Sequence, residues 1–238
     1  MNTARFQTFK SVVLPLLLAM ASLSISSPSL ALSLADLSNK DANAGLKAAL
    51  NKGAMAAIGK LGVQDGFLNN EKVMIRLPAR LEKARPILKM TGLAPQLDEL
   101  VLSMNRAAES AVPLAKPLLI DAVKSMTLTD AKNILTGGET SVTDFFKEKT
   151  ATPLAIKFLP MVKGVTDKSG LSAKYNSVMG KAQKFGIASE QEATVEAYVT
   201  QRALDGMYLM IAEEEKAIRE DPMGAGSKII GKVFGLLK

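Results

Sequence analysis

The stretch QRALDGMYLMIAEEEKAIRED, residues 201–221, decides the fold class of this 238-residue chain. Apolar residues recur in it at spacings of three and four, which is the period of a helix that buries one face. The helix has a start signal at Ser189, which Glu192 follows three residues later, and a stop signal at Pro222. We therefore predict one long helix over 191–220, about 45 Å in length, as the spine of the domain.

The same periodicity runs through the chain after residue 31, where it outweighs strict alternation of polar and apolar residues. Only residues 73–77, VMIRL, are typical of a strand. The predicted fold class is therefore all-α: a single multi-helix domain over 32–238 with one long helix in its C-terminal half. The other predicted helices cover residues 39–61, 79–90, 95–111, 115–126, 130–136, 141–149, 152–168, 172–184 and 223–237.

The first 31 residues are typical of a cleaved secretory signal peptide. Arg5 and Lys10 form a positively charged start, an apolar run follows, and Ser29 and Ala31 occupy the small positions that signal peptidase requires. We expect cleavage after Ala31 and an exported protein, either periplasmic or secreted. No later stretch has the length of an apolar membrane span, so we expect no transmembrane span after cleavage.

The residue inventory removes several kinds of chemistry. The chain has no histidine and no cysteine, which takes away imidazole bases, thiolate nucleophiles and the usual zinc and iron–sulfur ligands. Aromatic residues make up only 5% and do not interleave with basic ones, which argues against nucleic acid as a partner. The sequence therefore predicts no catalytic residue, no metal and no cofactor, and it favours a non-enzymatic protein.

Three partial motifs have the beginnings of ligand-binding loops. GSKIIGKV at 226–233 has the spacing of a phosphate loop, but valine replaces its final Ser or Thr and no strand precedes it. DANAG at 41–45 begins like a calcium loop, but Lys52 stands at its twelfth position. DGFLNNE at 65–71 gathers oxygen donors that suit either a hard cation or turns and helix caps, and we favour turns and caps.

Polar residues interrupt the apolar face of the long predicted helix. Arg202 and Asp205 are three residues apart, which is close enough for them to pair. Glu214, the middle one of three consecutive glutamates, lies one turn from apolar residues on either side, so we expect it to be at least partly buried. A second group, MNRAAE at 104–109, has the same character within another apolar face.

These two groups are expected to meet, because a buried charge without a partner costs about 3–5 kcal/mol. The expected pairs join Arg106 to Glu214 or Asp205, or else Arg202 to Glu109. We interpret them as ion pairs that fix helix register, with a carboxylate-rich functional pocket and plainly exposed faces as the alternatives. The predicted polar cluster, which is also the candidate binding site, consists of Asn105, Arg106, Glu109, Arg202, Asp205 and Glu214.

The last segment, residues 223–238, is a cationic amphipathic stretch with Lys228 and Lys232 beside apolar residues. Such a segment either lies on a membrane surface or packs on its own domain, and we favour packing. The chain has 12 methionines, against 8 phenylalanines and 3 tyrosines. The methionines could line an adaptable apolar cavity or simply fill the core, and we favour core filling.

Several segments together are distinctive: LSNKDANAGLKAAL, DGFLNN, IRLP, LSMNRAAESAVP, DAKNILTGG, FLPMV and YVTQRALDGMYLMIAEEEKAIREDP. On these the chain resembles an exported bacterial family catalogued as domain of unknown function 4197, over essentially the whole length after residue 31. The resemblance implies an all-helical protein of the cell envelope. It implies no catalytic or binding residues.

Two functional hypotheses follow. The first is a non-enzymatic periplasmic binding or interaction protein, whose partner is an envelope protein or an apolar, lipid-like ligand held between helices. The alternative is a carboxylate-dependent hydrolase or lyase acting on cell-envelope material. That alternative needs convergent acids, with an arginine of the cluster as anion clamp. Its acids would be Glu214, Glu109 and Asp205, and its clamp Arg106 or Arg202.

Overall fold

The computed structural model describes residues 39–135, 137–138, 140–186 and 194–235, so the proposed signal peptide, residues 1–31, lies outside the described residues. Within the described ranges the chain forms nine α-helices and no strand, which confirms the all-α prediction. The helices are α1 Asn39–Leu61, α2 Ala79–Met90, α3 Ala94–Ala111, α4 Lys116–Lys124, α5 Leu128–Leu135, α6 Ser141–Ser169, α7 Leu171–Lys184, α8 Val195–Glu220 and α9 Lys228–Gly235, with a 3-10 turn at Val112–Ala115 before α4.

The long predicted helix is present as α8, and its end at Glu220 is as expected. It begins at Val195, because Thr194 is its N-cap and accepts a hydrogen bond from the Ala197 N–H at 3.2 Å. The start signal proposed at Ser189 lies outside the described residues. α8 is therefore a 26-residue helix.

The prediction of two helices over 141–149 and 152–168 is wrong, because α6 is continuous through 29 residues and is the longest helix described. Pro153 and Pro160 lie inside it. Each proline removes one helical hydrogen bond and costs about 3 kcal/mol. The prolines point outward, while Leu154, Phe158 and Val162 are buried on the opposite side, and this burial offsets the local cost.

The core is built around α8, which packs against α1 on one side and α6 on the other. Leu46 and Leu50 of α1 and Met207 of α8 are among the side chains buried there. Gly206 allows the loop before α2 to approach α8, since a Cβ atom there would lie 2.9 Å from the Phe67 ring. Five methionines are buried in the core, and one of them, Met126, also borders a cleft; they are Met104, Met126, Met179, Met207 and Met210.

The C-terminal helix α9 packs on α1, as favoured above. Ile230, Val233 and Phe234 are buried, and Gly45 of α1 admits Val233 so closely that a Cβ atom there would clash with it. The apolar face of α9 is therefore used inside the domain. In the part of the chain that the structure covers, no helix combines the length and apolar character needed to cross a membrane.

Candidate functional site

Asn105 joins α3 to the segment that was predicted as a strand. The Ile75 N–H donates to the Asn105 Oδ1 at 2.9 Å, and the Asn105 Nδ2 donates to the Ile75 carbonyl at 2.8 Å. One fully buried side chain thus offers Ile75 the donor and acceptor that a neighbouring strand would supply. The VMIRL segment at 73–77 is satisfied without a sheet, which is why its strand-like composition forms no strand.

Glu109, one turn further along α3, holds the preceding loop. Its Oε1 accepts hydrogen bonds from the N–H groups of Phe67 and Leu68, both at 3.1 Å. Its Oε2 accepts one from Arg106 at 2.7 Å, and Arg106 also donates to Asp65 at 2.7 Å. The bond to Glu109, followed by that to Asp65, raises the pKa of Arg106. We call Asp65, Asn105, Arg106 and Glu109 the loop clamp.

The loop clamp corrects the expected partner of Arg106, which pairs with neither Glu214 nor Asp205. The structure brings three of the predicted cluster residues together, because Asn105, Arg106 and Glu109 all hold the loop after α1. Asp65 was singled out in the sequence as a turn residue. It does occupy the left-handed region, with φ 68°, and it also serves as the second carboxylate for the arginine.

The other three predicted residues lie on α8 and do not join the loop clamp. Arg202 pairs within its own helix with Asp205 at 3.3 Å, and its guanidinium lies 5.8 Å from the centre of the Tyr198 ring. Asp205 also accepts a hydrogen bond from Gln201 at 2.8 Å. The expected pair between Arg202 and Glu109 is therefore replaced by a local one near the surface.

The three consecutive glutamates of α8 each contact a different part of the chain. Glu213 pairs with Lys72 of the loop, and Glu214 pairs with Lys60 of α1 at 2.5 Å. The side chain of Glu214 is 15% exposed, which confirms the expectation that it is partly buried. The third glutamate, Glu215, is the most deeply buried of them and was not among the predicted site residues.

Glu215 binds the N-terminus of α6. It accepts hydrogen bonds from the N–H groups of Val142 at 3.2 Å and Thr143 at 2.9 Å, and from the Thr143 hydroxyl at 2.5 Å. These N–H groups have no partner within the helix, and the N-terminal end of a helix attracts negative charge. Thr140, the N-cap residue of α6, makes no side-chain capping bond. A carboxylate from another helix thus takes the place of the cap.

Arg219 completes this arrangement, which we call the helix clamp (Ser141, Thr143, Glu215 and Arg219). Its guanidinium donates to Glu215 at 2.8 Å and to the Ser141 hydroxyl at 3.1 Å, and it lies 5.4 Å from the centre of the Phe234 ring. The sequence contains a pattern from which the pair between Glu215 and Arg219 could have been predicted. Glu215 lies one turn from Ile211 and Ile218 on the apolar face, with an arginine four residues later.

The carboxylates therefore serve two separate clamps and several single pairs. Among the described residues, no three histidine, cysteine, aspartate or glutamate side chains are grouped so that they could hold a metal ion. Asn70 of the DGFLNNE segment makes a turn bond, its Oδ1 accepting from the Lys72 N–H at 3.2 Å. Each acid of the hydrolase hypothesis contacts a different part of the chain: Glu109 the loop after α1, Asp205 its own helix, and Glu214 Lys60 of α1.

A groove lies between α4 and α6, away from both clamps. It consists of two adjacent clefts, of about 270 Å³ and about 190 Å³, which share four lining residues. Leu118 and Leu154 line the first cleft, and Phe146 lines the second. Lys149 borders both clefts, and Lys157 borders the first. The four shared residues are Ala122, Ser125, Lys149 and Thr150.

A buried hydrogen bond supports the groove from beneath. The hydroxyl groups of Thr150 and Tyr208 are 2.8 Å apart, and the Thr150 hydroxyl also contacts the Phe146 carbonyl at 2.6 Å. The rings of Tyr208 and Phe146 meet edge to face, with 6.1 Å between their centres. Burial raises the pKa of Tyr208 to about 12, against the opposing effect of the bond to Thr150. The phenol is therefore neutral and structural.

The fold and these sites define an all-helical domain that uses its buried charges to fix helices and a loop, and that presents a groove of mixed apolar and polar lining. Lysines border this groove, together with Asp121 and Asp130. The chain belongs to the family described as protein of unknown function (DUF4197), whose model matches residues 36–235. This membership confirms the resemblance that the sequence segments indicated. No curated protein and no solved structure matches the chain.

Proposed function

We propose that the protein is a non-enzymatic binding protein of the cell envelope that holds an anionic amphiphile, of the fatty-acid type, in the groove between α4 and α6. The observation that carries the proposal is the chemistry of the groove, which combines apolar lining residues with an exposed lysine that makes no ion pair with any described residue. No carboxylate of the described residues pairs with Lys157. An anionic head group would provide Lys157 with an ion-pair partner.

The groove has the two parts that an amphiphile requires. Leu118 and Leu154 offer apolar surface to an alkyl chain, whose transfer from water is favourable by about 0.8 kcal/mol for each buried CH₂. At the edge, Lys157 is exposed, and Lys149 lies 3.5 Å from Glu148 and over the Phe145 ring. Lys149 also lies near Asp130, whose pKa is lowered by hydrogen bonds from Thr127 and, to a smaller extent, by this lysine. A charged hydrogen bond to a carboxylate or phosphate suits either lysine.

The geometry favours binding over the hydrolase or lyase hypothesis. Glu109 already accepts three hydrogen bonds, Asp205 is bonded within its own helix, and Glu214 is paired with Lys60. A general acid or base must reach its substrate, and a pair of them must face a common reacting atom. These acids are instead committed to different structural contacts.

Ligand binding is tested with the fluorescent fatty acid dansyl-undecanoic acid and the purified protein. We expect saturable binding at one site. Ala122→Trp, which fills the groove at a residue shared by both clefts, should abolish it. Ala94→Trp, at a partly buried alanine at the start of α3, is the matched control and should leave it unchanged. Absence of binding, or binding that survives Ala122→Trp, would overturn the proposal.

Native mass spectrometry of protein purified gently from cells tests the same proposal without a chosen probe. A reproducible extra mass released by denaturation would support it and would identify the class of ligand. The intact mass also tests the export hypothesis, since cleavage after Ala31 predicts a chain that begins at Leu32. A chain that retains the first 31 residues would contradict the proposed maturation.

A further inference from the structure

The outward face of α6 is unusually apolar for an exposed helix surface. Pro153, Ile156 and Pro160 are all exposed, and the side chain of Ile156 is 68% accessible. Their spacings of three and four place them in one stripe along the helix. Lys149 and Lys163 extend the same stripe by one turn at each end. The helix thus presents an apolar strip between two lysines.

The charged residues along the stripe itself are lysines. No aspartate or glutamate occurs from 149 to 166, while Lys157 lies beside the stripe without a carboxylate partner among the described residues. Acidic residues appear only at its ends, where Lys149 contacts Glu148 at 3.5 Å and Lys163 contacts Asp167 at 2.8 Å. The middle of the stripe is therefore cationic as well as apolar.

The start of α4 continues the surface. Leu118 shares a cleft with Pro153 and Lys157, and the 3-10 turn that precedes α4 packs against α6. Leu114 of that turn is 46% exposed, and Lys116 is exposed and, among the described residues, has no ion pair. Asp121 is the acidic residue at this edge, and Lys124 pairs with it at 3.3 Å.

We propose that this surface, the α6 face (Leu114, Lys116, Lys149, Pro153, Ile156, Lys157 and Pro160), docks on an anionic lipid membrane. Lipid phosphates match Lys116 and Lys157, which make no ion pair with the described residues, and isolated protruding apolar side chains suit the interfacial zone of a bilayer. A second copy of the chain fits poorly, because a symmetric contact would place these lysines opposite one another. In this proposal the protein binds to the membrane surface without inserting a helix. This interaction is separate from the binding of one amphiphile molecule in the groove.

The α6 face also adjoins the groove, since Pro153 and Lys157 line the groove as well. Docking would therefore hold the groove next to a source of amphiphiles. The membrane interaction does not depend on that role, because Ile156 protrudes from the stripe and does not line the groove clefts. Ile156 consequently separates the two functions experimentally.

The test is sedimentation of the purified protein with vesicles of phosphatidylglycerol and phosphatidylethanolamine, compared with vesicles of phosphatidylcholine alone. We expect binding to the anionic vesicles only, and weaker binding at high salt. The double variant Ile156→Ser, Lys157→Glu should lower the vesicle affinity at least about tenfold. The matched control is Ile87→Ser, Lys89→Glu on α2, where Ile87 is 56% exposed and Lys89 is exposed. It should bind like the unchanged protein.

Equal loss in the two double variants, equal binding to both kinds of vesicle, or no binding would overturn the proposal. So would a dimer in solution that the Ile156 variant dissociates, because a second copy would then cover the face. Ile156→Ser alone should reduce vesicle binding and leave dansyl-undecanoic acid binding intact. Ala122→Trp should do the reverse, so that failure of either proposal is recognised separately.

Discussion

The clamps and the groove show two opposite uses of polar side chains in one domain. In the loop clamp and the helix clamp, Glu109 and Glu215 are buried, and their oxygens accept hydrogen bonds from backbone groups and an arginine. In the groove, Lys157 is exposed and has no carboxylate partner within the described part of the chain. The buried polar side chains thus hold the fold together, whereas the exposed lysine is the charge that the proposed function uses.

The helix clamp should be the most costly to break. Glu215→Ala should lower the free energy of unfolding by about 3–5 kcal/mol, because it leaves Arg219 and the N-terminus of α6 without their acceptor. Chemical denaturation measures this loss. The control is Glu213→Ala, which removes a more exposed pair and should cost less than about 1 kcal/mol. Similar losses of unfolding free energy in the two variants would contradict the prediction that the buried glutamate contributes more to stability than the exposed one.

The loop clamp should come next. Asn105→Ala should destabilise the protein by about 1–3 kcal/mol, since it leaves the N–H and carbonyl of Ile75 unsatisfied. Hydrogen exchange should accelerate at the Ile75 amide. Asn69→Ala, at an exposed asparagine of the same loop, should change neither quantity. Unaltered protection of Ile75 in the Asn105 variant would contradict its role as a substitute strand.

Tyr208 beneath the groove should make stability depend on alkaline pH. Its pKa rises from 10.0 to about 12 on folding, so the folded state keeps a proton that the unfolded state loses. The stability associated with the neutral phenol is complete below pH 10 and is lost as pH rises towards 12. This loss is about 1 kcal/mol at pH 11. Melting temperatures of the unchanged protein and Tyr208→Phe should converge over this range, whereas a constant difference would refute the assignment.

The pair between Glu214 and Lys60 should contribute modestly. Glu214→Ala should lower the free energy of unfolding by up to about 1 kcal/mol, because Lys60 is 56% exposed and water screens the pair. Thermal unfolding at low and high salt measures the effect, which should shrink as salt rises. An unchanged melting temperature at low salt would show that this glutamate does not help to fix α8 on α1.

The groove should give the smallest change in stability and the clearest change in binding. Lys157→Glu should alter the free energy of unfolding by less than about 0.5 kcal/mol, since Lys157 is exposed and makes no ion pair with the described residues. It should nevertheless weaken binding of dansyl-undecanoic acid about tenfold. Lys168→Glu, at an exposed lysine near the end of α6, is the control. Equal weakening of binding in both variants would contradict a specific contact with Lys157, because the change in net charge alone would then explain the loss.

Helix positions were largely predictable from the sequence, and helix partners were not. The periodic apolar residues located α1 at its observed bounds, 39–61. The same reasoning wrongly predicted two helices in place of α6, because a proline disfavours a helix locally. Burial of the opposite face, which offsets this cost, is not visible in the local sequence. Three residues of the loop clamp were recognised as buried polar groups. Their acceptors and donors, such as Asp65 and Ile75, come from another segment, and no spacing along the chain indicates them.

The sequence by itself determined that this is an all-helical member of its family, because helical period, capping and chain breaks are local properties. The tertiary structure decided what each charged residue does, because pairing depends on distances between segments far apart in the chain. Glu213, Glu214 and Glu215 are adjacent and chemically identical, yet they bind a loop lysine, a lysine of α1 and the start of α6. Their 100° separation around one helix sends each to a different neighbour.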